Sequence, residues 1–373
     1  MKGNVSVLIF EGGNPVSEIE KMLRDIRHVI LLENIARIKR VASAGQIHLL
    51  TNYDDLAEKA LAAGGVNLHR SNFSGVGFHF GRALQELVNR EKMEHVLYLG
   101  GAGFPFLRTE DLEEVCLALL NSSPAVYSNN AVSADIVAFT PGSLINLITP
   151  PERDNNLVLA FREVAGAGHR LLKACSGFLF DVDTPADLLI LADSPQAGPK
   201  VREALQRLNL DLSRLQRVKE VLKNGDYDDL LLLGRVGAPV ITRINQTCKV
   251  RLRVFSEERG MKALGRDTRG EVVSLPGFFL QETGPRRFIQ YIESVCKAAI
   301  LDTRVLMAHL KPDISAGDRY LSDMGRWREM KEPFFREFTR YATCSAIPIL
   351  LGGHSLVLGG IMTILDELSL IKN

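Results

Sequence analysis

Through its first half the chain alternates short apolar runs with longer amphipathic stretches. Val5–Phe10 is an unbroken apolar run apart from Ser6, and it is closed by Glu11-Gly12-Gly13-Asn14-Pro15. That pattern reads as a buried strand entering a loop. Residues 16 to 44 predict a helix with a break near His28. Gln46–Thr51 reads as a second strand, and Tyr53–Ala63 as a helix stopped by Gly64-Gly65. Val66–His69 is a third, short strand, and Arg82–Asn89 is helical. His95–Leu99 is a fourth strand ending at Gly100-Gly101. Thr109-Glu-Asp-Leu starts a helix with Thr109 at its cap. Ala125–Tyr127 and Ile136–Phe139 are further strands. Strands separated by helices of this length indicate βαβ units and a mainly parallel sheet with flanking helices.

Beyond residue 183 the texture changes. Asp183-Thr184-Pro185-Ala186-Asp187 opens a helix, with a proline at its first position. Asp193–Pro199 collects prolines, a glycine and polar residues, and reads as a linker. This divides the chain into an α/β domain over 1–194 and a mostly α-helical domain over 199–373. Helical stretches are expected at Val201–Leu222, Arg286–Leu310 and Phe334–Tyr341, and a strand with period two at Val250–Phe255. The apolar segment 347–365 holds Pro348, four glycines and His354. It reads as a buried core segment rather than a membrane span.

Composition narrows the function classes. The chain has 373 residues, 46% hydrophobic and 24% charged, ordinary for a globular protein. Forty-five Lys and Arg face 44 Asp and Glu, so the net charge of +1 gives no global reason to expect nucleic acid or an anionic membrane as partner. The five cysteines are odd in number and none forms a CxxC pair, which argues against a disulfide framework or a cysteine zinc site. With no signal-peptide pattern at the N-terminus, free thiols point to a cytoplasmic protein.

Ligands of open parallel sheets bind beyond the carboxyl ends of the strands. Three glycine-rich loops fall there: Gly12-Gly13 after the first strand, Gly75, Gly77 and Gly81 after the third, and Gly100, Gly101 and Gly103 after the fourth. Glycines let backbone approach a ligand and offer unobstructed N–H groups to phosphates. Neither GxxxxGK[ST] nor a clean GxGxxG opening a helix is present. Asp183 reads either as a helix cap or as a ligand, and Asp135 as an acceptor for loop backbone. In the second half, Glu257-Glu258-Arg259 and Gly353-His354-Ser355 are polar knots between apolar segments, and each suits either a pocket or internal packing. His354 and Ser355, adjacent in sequence, do not support a hydrolase triad.

These motifs together resemble the nucleotidyltransferases of the molybdenum-cofactor guanylyltransferase and phospholactate guanylyltransferase type. The resemblance covers about residues 4 to 193 and rests on Val7-Leu-Ile-Phe-Glu-Gly-Gly13, Leu32-Glu-Asn-Ile-Ala-Arg-Ile-Lys39, Gly75-Val-Gly-Phe-His-Phe-Gly-Arg-Ala-Leu84, Tyr98-Leu-Gly-Gly-Ala-Gly-Phe-Pro-Phe-Leu107, Ser133–Pro141 and Phe180-Asp-Val-Asp-Thr-Pro-Ala-Asp-Leu188. It implies a nucleotide-diphospho-sugar transferase-like (GT-A-like) fold, an NTP or sugar nucleotide as ligand, and Mg²⁺-dependent transfer to a small acidic or phosphorylated acceptor. It also implies roles: Gly12, Gly13 and Lys21 around the phosphates, Gly75 to Gly81 at the base, and Asp181 or Asp183 on the metal. Two departures stand out. The first loop lacks the family's Arg and Lys, and Gly103 stands where the family has its metal-binding Asp. They motivate an alternative, a catalytically degenerate nucleotide-binding protein that regulates through the helical half.

Overall fold

The computed structural model describes residues 4–71, 78–101, 103–162, 164 and 168–372. By internal contacts the chain divides into two units: Met1–Asn14, Arg27–Phe178 and Lys262–Leu264 form the first, and Pro15–Ile26, Leu179–Met261 and Gly265–Asn373 the second.

The first unit is built on β1 (Val5–Glu11), α1 (Glu18–Ile38, from Arg27 onward), β2 (Ala44–Thr51), α2 (Asp54–Ala62), β3 (Val66–Arg70), α3 (Phe80–Arg90), β4 (Val96–Gly100), α4 (Thr109–Leu120), β5 (Ala125–Ser128), β6 (Ile136–Thr140), α5 (Leu157–Arg162) and β7 (Gly168–Leu171). Its seven strands run in the order β3-β2-β1-β4-β6-β5-β7, with β6 antiparallel to both of its neighbours and the remaining pairings parallel. The expected adjacency of β1, β2 and β4 is present. Side chains of one strand alternate between two cores. Val7 and Ile9 join Leu49, Leu97 and Leu99 on one face. Leu8 and Phe10 join Leu50, Tyr98 and Leu84 on the other. Burial on both faces explains why these strands read as continuous apolar runs.

The second unit follows α6 (Ser176–Leu179) with α7 (Pro185–Asp193), α8 (Pro199–Gln206), α9 (Ser213–Asn224), β8 (Asp228–Gly234), α10 (Ala238–Thr247), β9 (Val250–Ser256), α11 (Leu275–Val295), β10 (Ala298–Asp302), α12 (Thr303–Leu310), α13 (Ala316–Asp323), α14 (Pro333–Thr343), β11 (Ile349–Gly352) and α15 (Ile361–Lys372). Helix dominates its residues, as expected, but the helices surround a four-stranded, all-parallel sheet in the order β11-β10-β8-β9. Leu231, Leu233, Ala299, Leu301, Ile349 and Leu351 form one core with Phe288, Phe335 and Phe338.

Several expectations are corrected. α1 is continuous through His28. The helix expected over Arg286–Leu310 ends at Val295, and β10 and α12 replace its remainder. Val201–Leu222 is two helices rather than one. The 347–365 segment is β11, a single π turn over Leu356–Gly360 and the start of α15, nearly all of it buried within the second unit. Thr109 lies inside α4, with Arg108 at the cap. Asp193–Pro199 does break a helix, but the helices on both sides of it belong to the second unit. The cause is α7, whose residues Pro185–Leu191 are all buried. A helix apolar all round needs a core on every side, and α7 packs on β11 and the π turn. Among the described residues, no helix is long and apolar enough to cross a membrane.

Close packing yields a stability prediction. A Cβ at Gly142 would lie 1.9 Å from the Met93 carbonyl oxygen, and backbone cannot yield as a side-chain tip does. Gly142→Ala is therefore expected to destabilise the protein by about 2 kcal/mol or more, the upper part of the overpacking range. A thermal melt checks it, and an unchanged melting temperature would contradict it.

Candidate functional site

In the first unit the strand order reverses at β1 and β4: β2 and β3 extend to one side of β1, and β4 lies on the other. Crevices beyond the carboxyl ends of strands at such switch points are where open α/β sheets bind ligands. Glu11 ends β1 there and is 5% exposed. A carboxylate so far from water needs a partner, and Arg27 of α1 supplies a two-pronged one, Nε to Oε1 at 3.1 Å and Nη2 to Oε2 at 2.7 Å. The pair faces Gly101, which has φ of +67°. A Cβ on Gly101 would lie 2.2 Å from Arg27 Nη2 and 2.6 Å from Glu11 Oε2. Glycine is required here twice over, by backbone conformation and by space.

Asp135 stands just before β6, whose antiparallel course brings its start to the end of β4. Its carbonyl accepts the Gly100 N–H at 2.6 Å, and its side chain accepts from Asn155 at 3.2 Å. The Tyr98 hydroxyl donates to Asp154 at 3.4 Å. Burial pushes that phenol well above its ordinary range, helped by Asp154, Asp135 and Glu11. The carboxylates of Glu11, Asp135 and Asp154 thus share one polar neighbourhood. The loop after β1 is tied to the loop after β2, since Asn52 accepts the Gly13 N–H at 3.0 Å and donates to the Gly13 carbonyl at 2.9 Å. Gly12, Gly13, Gly100, Gly101 and Asp135 are all half-buried.

The other expected site residues scatter. Gly75 and Gly77 lie outside the described residues. Gly81 is buried in the first turn of α3, where a Cβ would meet Pro151 N at 2.5 Å, so it serves packing. Gly103 is buried beside Phe104, whose carbonyl accepts from Asn34 at 3.0 Å. Lys21 belongs to the second unit and pairs with Glu18 in solvent at 2.8 Å. Asp181 and Asp183 also belong to the second unit. The Asp181 carbonyl accepts from Ser355 Oγ at 2.5 Å, and the exposed Asp183 donates its N–H to Asp187 at 3.1 Å.

The second unit has its own switch point, between β8 and β10. Asp302, fully buried at the end of β10, accepts from Arg235 Nε at 2.6 Å and Nη2 at 3.1 Å. Burial works to raise its carboxyl, but Arg235, His354 and Arg304 hold it below the usual range. Arg304 grips Asp323 through both oxygens, at 3.0 and 2.5 Å. These ion pairs fill the edge. A Cβ at Gly234 would meet Asp302 Cβ at 2.5 Å, and one at Gly352 would meet Leu356 Cδ2 at 2.7 Å. Glu257 caps α11 through the Ser274 hydroxyl and the Leu275 N–H at 3.1 Å. Glu258 is held by Arg266 through two bonds of 2.9 Å, and Arg259 is exposed. The structure accordingly gives Glu257, Glu258 and Ser355 internal bonding roles. Beside this sheet, an apolar groove of about 750 Å³ runs between β8, β9 and α11, with Arg253 at its polar side.

No family model and no curated protein matches the chain. Among solved structures it is similar to a cytidylyltransferase from Leptospira borgpetersenii (16% identity, TM-score 0.38, covering 55% of this chain and 95% of that one). It is also similar to a 4-diphosphocytidyl-2C-methyl-D-erythritol synthase from Anaerococcus prevotii (13%, 0.34, 56% and 96%). A third is a CMP:2-keto-3-deoxy-manno-octonic acid synthetase complexed with CTP (13%, 0.32, 45% and 89%).

The Glu11–Arg27 pair escapes a sequence reading because it spans 16 positions and Arg27, unlike Glu11, sits in none of the motifs. The helix start at Asp183–Asp187 was legible, and the structure places Thr184 at its cap with Asp187 in the first turn. The Asp187 carboxylate accepts from the Thr184 N–H at 2.7 Å and the Thr184 hydroxyl at 2.9 Å. Burial, with Asp183 nearby, pushes its carboxyl up to about 8. The folded state therefore holds a proton that the unfolded chain releases near pH 4. Asp187's contribution to stability is greatest below that pH and is lost as pH rises from about 4 to about 8. Asp187→Asn is expected to gain melting temperature relative to the wild type steadily across that window. Parallel melting curves for the two proteins against pH would contradict it.

Proposed function

We propose that the first unit binds an NTP or sugar nucleotide at the β1/β4 crevice and supports Mg²⁺-dependent nucleotidyl transfer to a small acidic or phosphorylated acceptor. The observation that carries this reading is the cluster of Arg27, Glu11 and Asp135 around Gly100-Gly101. The resemblance leaves two gaps, a cation in the first loop and a carboxylate at Gly103. Arg27 and Asp135 supply both kinds of group, from other chain positions, at one strand edge.

The chemistry follows from the geometry. Gly12 and Gly13 offer a loop without side chains for phosphates to approach, held in place by Asn52. The guanidinium of Arg27 is planar and suits bidentate binding of phosphate oxygens. In the free protein it is parked on Glu11, and a nucleotide's phosphates compete for it. Glu11, released, and Asp135 are hard oxygen donors of the kind Mg²⁺ takes, one or two carboxylates with phosphate oxygens and water completing the shell. Mg²⁺ held by these carboxylates would neutralise charge on the reacting phosphate. With an NTP as donor, the acceptor's anionic group would attack the α-phosphorus, and pyrophosphate would leave with the electrons of the broken P–O bond. This arrangement does not require Asp181 or Asp183.

A thermal-shift screen of GTP, CTP, ATP, UTP and sugar nucleotides, with and without Mg²⁺, tests the proposal, because a ligand that binds only folded protein raises its melting point. The wild type is expected to be stabilised by at least one nucleotide. Arg27→Ala should weaken that nucleotide about 10- to 100-fold, as loss of charge-assisted phosphate bonds does. Asp135→Asn should remove the Mg²⁺ dependence, whereas Asp181→Asn and Asp183→Asn should leave it. No shift with any nucleotide, or a shift that survives Arg27→Ala unchanged, would contradict the reading.

A further inference from the structure

On one face of the first sheet, three side chains from separate elements converge: His48 of β2, His69 of the edge strand β3, and Glu91 just past the end of α3. The strand register explains the convergence. His69 pairs with Leu50, which shares its face of β2 with His48, so the two imidazoles lie on one side of the sheet. Nδ1 of His48 lies 3.0 Å from Nε2 of His69, and the rings are stacked within 14° of parallel. One ligand atom from each of the three residues falls within 4.8 Å of the others.

The protons on this cluster are mutually constrained. Arg90 Nη2 lies 2.8 Å from His69 Nδ1, and a guanidinium only donates. His69 therefore carries its proton on Nε2 and gives it to His48 Nδ1. His48, 1% exposed, must then carry its own proton on Nε2, a buried atom without a hydrogen-bond partner among the described residues. Two imidazole nitrogens thus face each other at a separation that needs one particle between them, and in the metal-free protein a proton serves. Nitrogen ligands on a tetrahedral zinc ion, at about 2.0–2.1 Å from the metal, stand roughly 3.3 Å apart. The two nitrogens are thus within a few tenths of an ångström of that spacing, and closing the site further requires the imidazoles to tilt towards a common point and the Glu91 carboxylate to approach it.

We propose that His48 Nδ1, His69 Nε2 and Glu91 form a binding site for a divalent transition ion of the zinc type. Two imidazoles and one carboxylate suit such an ion rather than Mg²⁺ or Ca²⁺, which take oxygen ligands. Arg90 guards the site. It bonds the outer nitrogen of His69 and pairs with Glu91 at 3.1 Å, so it holds two of the ligands in their metal-free state. Its side chain is 60% exposed and can swing into solvent. On binding, the metal displaces the proton between the imidazoles. That proton moves to His69 Nδ1, which Arg90 has vacated.

The test is titration of the full-length protein with Zn²⁺ and with Co²⁺, read by calorimetry and by visible absorption of the cobalt form. One equivalent is expected to bind, with a cobalt spectrum of nitrogen and oxygen ligation that lacks the charge-transfer band of thiolate. His69→Gln and Glu91→Gln change partly exposed side chains, and each should weaken binding at least tenfold while the circular dichroism of the fold is kept. Arg90→Gln should tighten binding several-fold by freeing His69 and Glu91. Absence of a one-equivalent site, binding unaffected by His69→Gln and Glu91→Gln, or a thiolate band from the cysteines would overturn the site. Unchanged or weaker binding in Arg90→Gln would overturn the guarding role.

Discussion

The Glu11–Arg27 pair is the constraint on which the first unit's strand edge depends. A carboxylate at the end of a buried central strand cannot stay ionised without a partner, because stripping water from an ion costs several kcal/mol. The partner comes from α1, so the same contact fixes the helix to the strand that precedes it. The space the pair occupies leaves room only for a glycine at 101. Removing either partner would leave a buried charge, which is more damaging than the pair is stabilising. Among the described residues, the pair brings a guanidinium and a carboxylate to the glycine backbone of this edge.

The second unit uses the same kind of bond to a different end. Asp302 with Arg235, and Asp323 with Arg304, are buried ion pairs at the carboxyl edge of a parallel sheet. There, side chains close over the glycines: Asp302 over Gly234, and Leu356 over Gly352. In the first unit Arg27 and Glu11 close over Gly101 in the same way, whereas Gly12 and Gly13 remain half-buried in a loop tied by Asn52. Glycines at strand ends are therefore ambiguous in sequence, since the space they leave can serve a ligand or a neighbouring side chain.

The parts that were legible follow from local patterns. β1, β2 and β4 were readable because burial on both faces makes apolar runs, and the helix start at Asp183–Asp187 because its motif spans only a few residues. β10 was not, because Ala298-Ala-Ile-Leu301 suits helix as well as strand and only its neighbours β8 and β11 decide it. Strand β8 went unread for a related reason, its Leu230–Leu233 run lacking any alternation. The domain division was misplaced because a Pro-Gly linker marks a helix break, whereas the division follows which core α7 is buried in. Asp135 and Glu11 were visible as single residues, but their meeting with Arg27, and the His48–His69 contact across 21 positions, were not, because only the folded sheet brings them together.

Hydrogen exchange of the full-length protein with and without a saturating nucleotide and Mg²⁺ tests the central claim most directly, because it reports which backbone N–H groups the ligand covers. Slowed exchange is predicted at residues 11–14 and 99–101, the loops that end β1 and β4, with smaller effects around Asn52 and Asp135. Unchanged exchange in those loops, or protection confined to the strand ends of the second unit, would contradict the account.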